Sequence, residues 1–240
     1  MGKSLRLSWQ ILKKSVRCAY DYVGMVMASS ALWFVVGFLP LLLATTFSNY
    51  IKSPVILAAA LILTLVTFGP ATAAVHAMIS KILAKEEVLV REYFQYFIDF
   101  FSRSVGLVWL NSLIVVILVT DFMFTINHSN KIIRAVSGIW VYAFLFWAMM
   151  SNYIFPFLVN QNIGVVLAMK RSALLALDNV LVTIVLTVSV AFIAGLSIVL
   201  AAAVLLLMMG VIAFFQNMAY RELMQKYDAL PEEAIQSPEG

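Results

Sequence analysis

The run "VLVTIVLTVSVAFIAGLSIVLAAAVLLLMMGVIAFFQNMAY", Val180 to Tyr220, contains no charged residue. As one helix it would extend roughly 60 Å at ~1.5 Å per residue, about twice the hydrocarbon core of a bilayer. It therefore has to fold back, and Gly195–Ser197 is the expected turn. This splits the tract into two membrane spans, near 180–197 and 198–220.

The rest of the chain has the same character. Hydrophobic residues make up 63% and charged residues 12%, with mean hydropathy +0.99, against about 45–50% apolar and about 25% charged in soluble domains. Lipid is the only solvent that suits such a surface. Further spans of about 20 apolar residues are expected near 23–47, 54–80, 105–126 and 135–159. Lys3, Arg6, Lys13, Lys14 and Arg17 before the first apolar stretch look like the start of a secretory signal. That stretch runs from Val23 to Phe47, beyond the ~7–15 residues of a signal core, and reads as a retained span. The single cysteine, Cys18, excludes an internal disulfide and a multi-cysteine metal site.

Charge supports this division independently. With six spans and both termini cytoplasmic, 13 of the 16 Lys and Arg residues fall inside, and Lys52, Lys131 and Arg134 fall outside. Five spans would move Arg221 and Lys226 out and weaken the bias to 11 against 5. The expected fold is an all-α membrane protein of six helices in three hairpins, each preceded by an amphipathic interfacial helix. Residues 1–227 form its single transmembrane domain. The end of the chain, residues 228–240, has two prolines and no Lys or Arg, and is expected to be a disordered acidic tail.

An internal repeat runs through the leading segments. "LKKSVRCAYDYV", Leu12 to Val23, aligns without gaps on "MKRSALLALDNV", Met169 to Val180, and "FQYFIDFFSRSV", Phe94 to Val105, is a weaker third copy. Asp21 and Asp178 fall at equivalent places, where an acid would cap the following helix and complement its positive end. In the first segment Leu5, Trp9, Leu12, Val16 and Tyr20 recur at helical spacing beside Arg6, Lys13 and Arg17. In the second, Ile79, Ile82, Leu89, Tyr93, Phe97 and Phe101 form an aromatic-rich stripe. Such helices lie in the headgroup layer or offer a docking surface for a cytoplasmic partner, with Lys81, Lys85, Tyr93, Phe94 and Phe97 as its candidate residues.

Candidate chemistry is sparse. "TFGPATAAVHAM", Thr67 to Met78, places Gly69-Pro70 inside an apolar helix. A proline there removes a ladder hydrogen bond, and a membrane helix tolerates this when Ser/Thr side chains or neighbouring helices compensate. Thr67, Gly69, Pro70 and Thr72, with a second kink at Pro156, define either a packing bend or a substrate path. His76, Asn111, Asn152, Asn160, Gln216 and Asn217 read as interhelical glue. Thr187, Ala191 and Gly195 offer a close helix contact within the chain or in a homo-oligomer. No hydrolase, phosphate-binding or zinc-protease motif occurs. No catalytic, cofactor-binding or metal residue is expected, and the net charge of +4 needs no nucleic acid.

With "TFGPATAAV", Glu86–Glu87 and the aromatic set Tyr93, Phe94, Phe97, Phe100 and Phe101, the chain resembles the YesL-type family of bacterial membrane proteins, whose function is unknown. It departs from that family at "FFSRSV", where an Asn-Phe-Lys-Gln-like run is common. The resemblance implies a multi-pass protein of the bacterial inner membrane that accompanies carbohydrate utilisation, often beside binding-protein-dependent sugar importers. It implies no ligand or catalytic residue. The expectation is a non-enzymatic accessory component of carbohydrate uptake; the alternative is a small sugar-related transporter with its path at the Gly69-Pro70 kink.

Overall fold

The computed structural model describes residues 2–51, 54–200 and 202–228, and these are helical with no strand among them. The helices are α1 (Gly2–Asp21), α2 (Val23–Trp33), a π-helical turn (Phe34–Phe38), α3 (Leu39–Ile51), α4 (Pro54–Leu83), α5 (Glu92–Asp99), α6 (Phe101–Ile126), α7 (Lys131–Asn160), α8 (Val165–Asp178), α9 (Val180–Val199) and α10 (Ala202–Asp228). Among the described residues, five segments are long and apolar enough to cross a membrane: Val23–Phe47, which joins α2, the π turn and α3, then α4, α6, α7 and α9. The tail from residue 229 lies outside the described residues, whereas Asp228 still closes α10.

The Val180–Tyr220 tract does fold back, but not at Gly195–Ser197. Helix α9 continues to Val199 and breaks at Leu200. Glycine alone does not stop a helix where lipid offers the backbone no other partner, so α9 ends only at about 30 Å, one bilayer core. Helix α10 then runs antiparallel to it, because Asn179 at the start of α9 donates from Nδ2 to the Tyr227 hydroxyl near the end of α10 at 3.1 Å.

Three breaks set the architecture. Tyr22, Phe100 and Asn179 leave helical geometry (φ −113°, −97° and −127°) after helices that all end in aspartate: Asp21, Asp99 and Asp178. Counting from these breaks gives three repeats, each an amphipathic helix (α1, α5, α8), an outer helix (α2–α3, α6, α9) and an inner helix (α4, α7, α10). The copy read at Phe94–Val105 is real but one turn out of register: Asp99, not Arg103, matches Asp21. In the structural register Ser15, Tyr93 and Ser172 coincide, and all three are fully buried.

The repeats close into a ring of pseudo-three-fold symmetry. Each inner helix packs on its own outer helix and on the outer helix of the next repeat: α4 on α6, α7 on α9, and α10 on α2. Each amphipathic helix lies against the preceding inner helix, as α5 on α4, α8 on α7 and α1 on α10. The three inner helices meet one another on the axis.

Two glycines make the outer contacts close. A Cβ on Gly69 would stand 2.4 Å from the Ser104 carbonyl oxygen and 2.9 Å from Val108; one on Gly210 would stand 2.8 Å from the Val26 carbonyl oxygen and 2.9 Å from the Ser30 hydroxyl. Val26 and Ser104 are each four residues past a break, and Ser30 and Val108 each eight, so the two contacts are equivalent. At the third interface Thr183 and Thr187 hold those places, with the Tyr153 hydroxyl 3.0 Å from Thr183 Oγ1 and Asn152 donating to Thr187 Oγ1 at 2.9 Å. Hydrogen bonds replace the missing glycine approach. Gly195, by contrast, has nothing within 4 Å of a built Cβ, so the contact expected at Thr187, Ala191 and Gly195 is not made there.

Candidate functional site

The inner ends of the repeats are pinned by polar pairs at one level. Lys14 of α1 bonds Glu222 of α10 at 2.6 Å, Glu92 of α5 bonds Lys81 of α4 at 3.2 Å, and Arg171 of α8 bonds Gln161 just past α7. Lys14, Glu92 and Arg171 each lie eight residues before their break. Lys81, Gln161 and Glu222 therefore set the register of the inner helices. In that register Gly69 matches Gly210, and His76, Pro156 and Asn217 coincide.

His76 and Asn217 meet across the axis. Asn217 Nδ2 lies 2.9 Å from His76 Nδ1 and donates to the Ala213 carbonyl at 2.9 Å. Its Oδ1 accepts from Asn160 Nδ2 at 3.3 Å, Asn160 also donates to the Pro156 carbonyl at 2.7 Å, and Asn160 Oδ1 accepts from Ser80. Because Asn217 supplies the proton, His76 Nδ1 accepts, and the neutral ring carries its proton on Nε2. That atom is buried without a partner, and the ring stacks on Phe155 with centroids 5.4 Å apart. Around this knot Ala71, Ala73, Ala74, Val75, Met78 and Phe214 are fully buried. Side chains fill the axis at this level.

The Gly69-Pro70 segment is packed rather than open. Gly69, Pro70 and Thr72 are buried, with Ser104 of α6 filling the place of a side chain at Gly69. Thr67 and Thr72 donate to the carbonyls of Leu63 and Phe68 at 3.0 and 2.8 Å, one turn back along the helix in each case. Thr72 also accepts from the Trp33 indole at 2.9 Å, locking α2 to α4. Pro156 is buried on α7, its carbonyl held by Asn160. The two helix-internal prolines sit on neighbouring inner helices that meet at the His76–Phe155 contact.

Asp21 and Asp178 do not cap the spans that follow them. The cap position falls one residue later, at Tyr22 and Asn179, and neither of their side chains makes a cap bond; Tyr22 N bonds Cys18 O and Val26 N bonds Tyr22 O, both at 3.0 Å. Asp178 instead accepts from the Tyr227 hydroxyl at 3.1 Å. The Cys18 thiol beside Asp21 is pushed above its ordinary pKa, first by burial and then by that carboxylate. A raised thiol pKa leaves little thiolate for chemistry.

The expected docking residues divide. Tyr93 is fully buried, its hydroxyl 3.5 Å from the Ala71 carbonyl, and burial drives its phenol well above the usual tyrosine range. Phe97 is half-buried, and Lys81 lies between Glu86 and Glu92. Lys85 and Phe94 remain exposed. The stripe from Ile79 to Phe101 is not one helix, since Lys85 adopts φ 62° and ends α4 with the Glu86 N–H returning to the Lys81 carbonyl at 3.1 Å. The segment 84–91 that follows exposes Lys85, Leu89, Val90 and Arg91. It is longer than its equivalent, 161–164, and sequence periodicity missed it because it has no period.

Among the described residues, no group of three or more His, Cys, Asp or Glu side chains is placed to hold a metal ion. Residues 26–122, from α2 to near the end of α6, match the model of a family described as a protein of unknown function, DUF624. No curated protein and no solved structure matches the chain.

Proposed function

We propose that this chain is a six-span protein of the bacterial cytoplasmic membrane, with α10 as its sixth span, both termini in the cytoplasm and its helices in three hairpins. Its role is to bind a partner rather than to catalyse or transport. The carrying observation is the filled axis: three inner helices pack through buried side chains and a polar knot, and the Gly69-Pro70 segment lies against the backbone of α6. Broken helices that line a path keep free backbone groups facing a cavity; this segment faces another helix. The charge bias supports the orientation, since the end of the bundle carrying Lys14, Lys81, Arg103 and Arg171 is the basic one.

The partner-facing surface is the segment 84–91 with the start of α5, where Lys85, Leu89, Arg91 and Phe94 are exposed together. The same segment exposes Glu86 and Glu87 beside Lys85 and Arg91, and charges of both signs around apolar groups suit a protein surface of complementary mixed charge with an apolar pocket. The likeness to YesL-type proteins supports a carbohydrate-uptake setting, and the partner we propose is the permease or ATPase of a binding-protein-dependent sugar importer.

Affinity purification of the full chain from native membranes in mild detergent, with quantitative mass spectrometry, tests this. Importer subunits are expected in stoichiometric amounts. Lys85→Glu combined with Arg91→Glu lowers their recovery about tenfold, the scale of losing charge complementarity at an interface, whereas Lys131→Glu combined with Arg134→Glu leaves it unchanged. Recovery of the chain alone, or equal loss from both pairs, counts against the assignment.

A further inference from the structure

One cavity breaks the pseudo-symmetry. It lies between the π turn, α3, α4, α6 and α7 and measures about 350 Å³, within the roughly 300–1,000 Å³ of small-molecule sites and above the ~150 Å³ that accommodates benzene. Its walls are apolar apart from Thr64, Asn111, Ser112 and Ser151. No ionisable side chain lines it.

Asn111 and Ser112 stand where the first repeat is aromatic, and Thr64 where the second is. Asn111 and Ser112 are eleven and twelve residues past Phe100, and the same count from Tyr22 reaches Trp33 and Phe34. Thr64 is seventeen residues before Lys81, and the same count back from Gln161 reaches Phe144. In the third repeat the same counts reach Val190, Ala191 and Leu205, so the set of three polar residues belongs to this interface.

The polar wall is positioned from behind. Trp147 donates its indole N–H to Asn111 Oδ1 at 2.9 Å, and its carbonyl accepts from Ser151 at 2.8 Å, so one residue fixes both. Thr64 is 7% exposed and its hydroxyl has no hydrogen-bond partner. Thr67, Thr72, Thr183 and Thr187 all return their hydroxyls to the carbonyl four residues back; Thr64 does not, and its oxygen is enclosed within the wall, which leaves Asn111 and Ser112 as the polar groups of α6 that line the space. Leu61 and Phe38 on the rim are 48% and 37% exposed on the lipid-facing surface, so entry is sideways from the bilayer.

We infer that this cavity is a binding site for an amphiphile: an alkyl chain bearing one uncharged oxygen function, hydroxyl or carbonyl, taken up from the membrane. The apolar walls receive the chain, and the Asn111–Ser112 wall meets the oxygen. A free sugar or an anion is a poor fit, because the lining offers neither enough polar groups nor a cation.

The test is photolabelling of the full chain in phosphatidylethanolamine/phosphatidylglycerol vesicles with a diazirine-bearing octanol, and peptide mapping of the adducts. Adducts are expected on Leu61–Phe68 and Leu107–Ser112. Ser112→Phe, which restores the aromatic of the first repeat, should cut labelling at least about tenfold. Ser112→Ala removes one wall hydroxyl and leaves the space open, and should cut labelling about threefold, the scale of one hydrogen bond. Competition by excess n-octanol identifies a free amphiphile. A phospholipid that co-purifies with the parent chain and is lost from Ser112→Phe identifies a bilayer lipid, and both outcomes support the site. Adducts spread evenly over lipid-facing helices and unchanged in both variants, with thermal unfolding unaltered, would overturn it.

Discussion

Gly69→Ala is expected to be among the most destabilising single substitutions in the chain. The new methyl group would lie 2.4 Å from the Ser104 carbonyl oxygen and 2.8 Å from its carbon, and a backbone cannot swing aside as a side-chain end can. Overpacking of this kind costs about 1–3 kcal/mol and occasionally more; helix separation across α4 and α6 puts this case at the upper end. Gly210→Ala makes the equivalent clash with Val26 and should behave alike, with the further strain of crowding the bond from its N–H to Ser30 at 2.8 Å. Gly24, Gly138 and Gly195 have nothing within 4 Å of a built Cβ. Alanine there is expected to be neutral or stabilising by up to about 1 kcal/mol. Thermal unfolding in detergent compares all five: the interpretation stands if Gly69 and Gly210 separate from the other three, and equal effects throughout would refute it.

Asn217→Leu should come next in size. It removes the donor to His76 and the acceptor for Asn160 together, and each stranded buried group costs about 1–3 kcal/mol. If the knot is structural glue, His76→Phe combined with Asn217→Leu should recover much of that loss, because an apolar pair leaves nothing unsatisfied on the His76 side. A cycle of the two single variants and the double variant measures the coupling. Strict additivity would show that the two residues do not act on each other.

The sequence made the membrane class, the extent of the spans and the fold-back of Val180–Tyr220 readable, because charge-free length is a strong physical signal. It was less informative about where helices stop. The turn fell at Leu200 rather than at Gly195, since bilayer thickness outranks a single glycine. The outer repeat was visible in Lys13 and Lys170, Ser15 and Ser172, Asp21 and Asp178, which occupy matching surfaces. The inner repeat was not. His76, Pro156 and Asn217 share a position but differ in chemistry, as residues on a pseudo-symmetric axis can when they pair with one another instead of with copies of themselves. Tyr93 was read as a docking group because periodicity shows which residues share a face and leaves open what that face meets. The cavity was invisible for the opposite reason: Asn111, Ser112 and Ser151 are unexceptional polar residues until the packing of α4, α6 and α7 brings them to one wall.

The central claim is a closed ring of three hairpins with both chain ends on the cytoplasmic side. It is tested by cysteine accessibility. In a Cys18→Ser background, single cysteines at Ser4, Ser129 and Ser237 are probed in intact cells with a membrane-impermeant maleimide. The account predicts labelling at Ser129 alone, with Ser4 and Ser237 reacting only after permeabilisation. Labelling of Ser237 in intact cells would give an odd number of spans and contradict it.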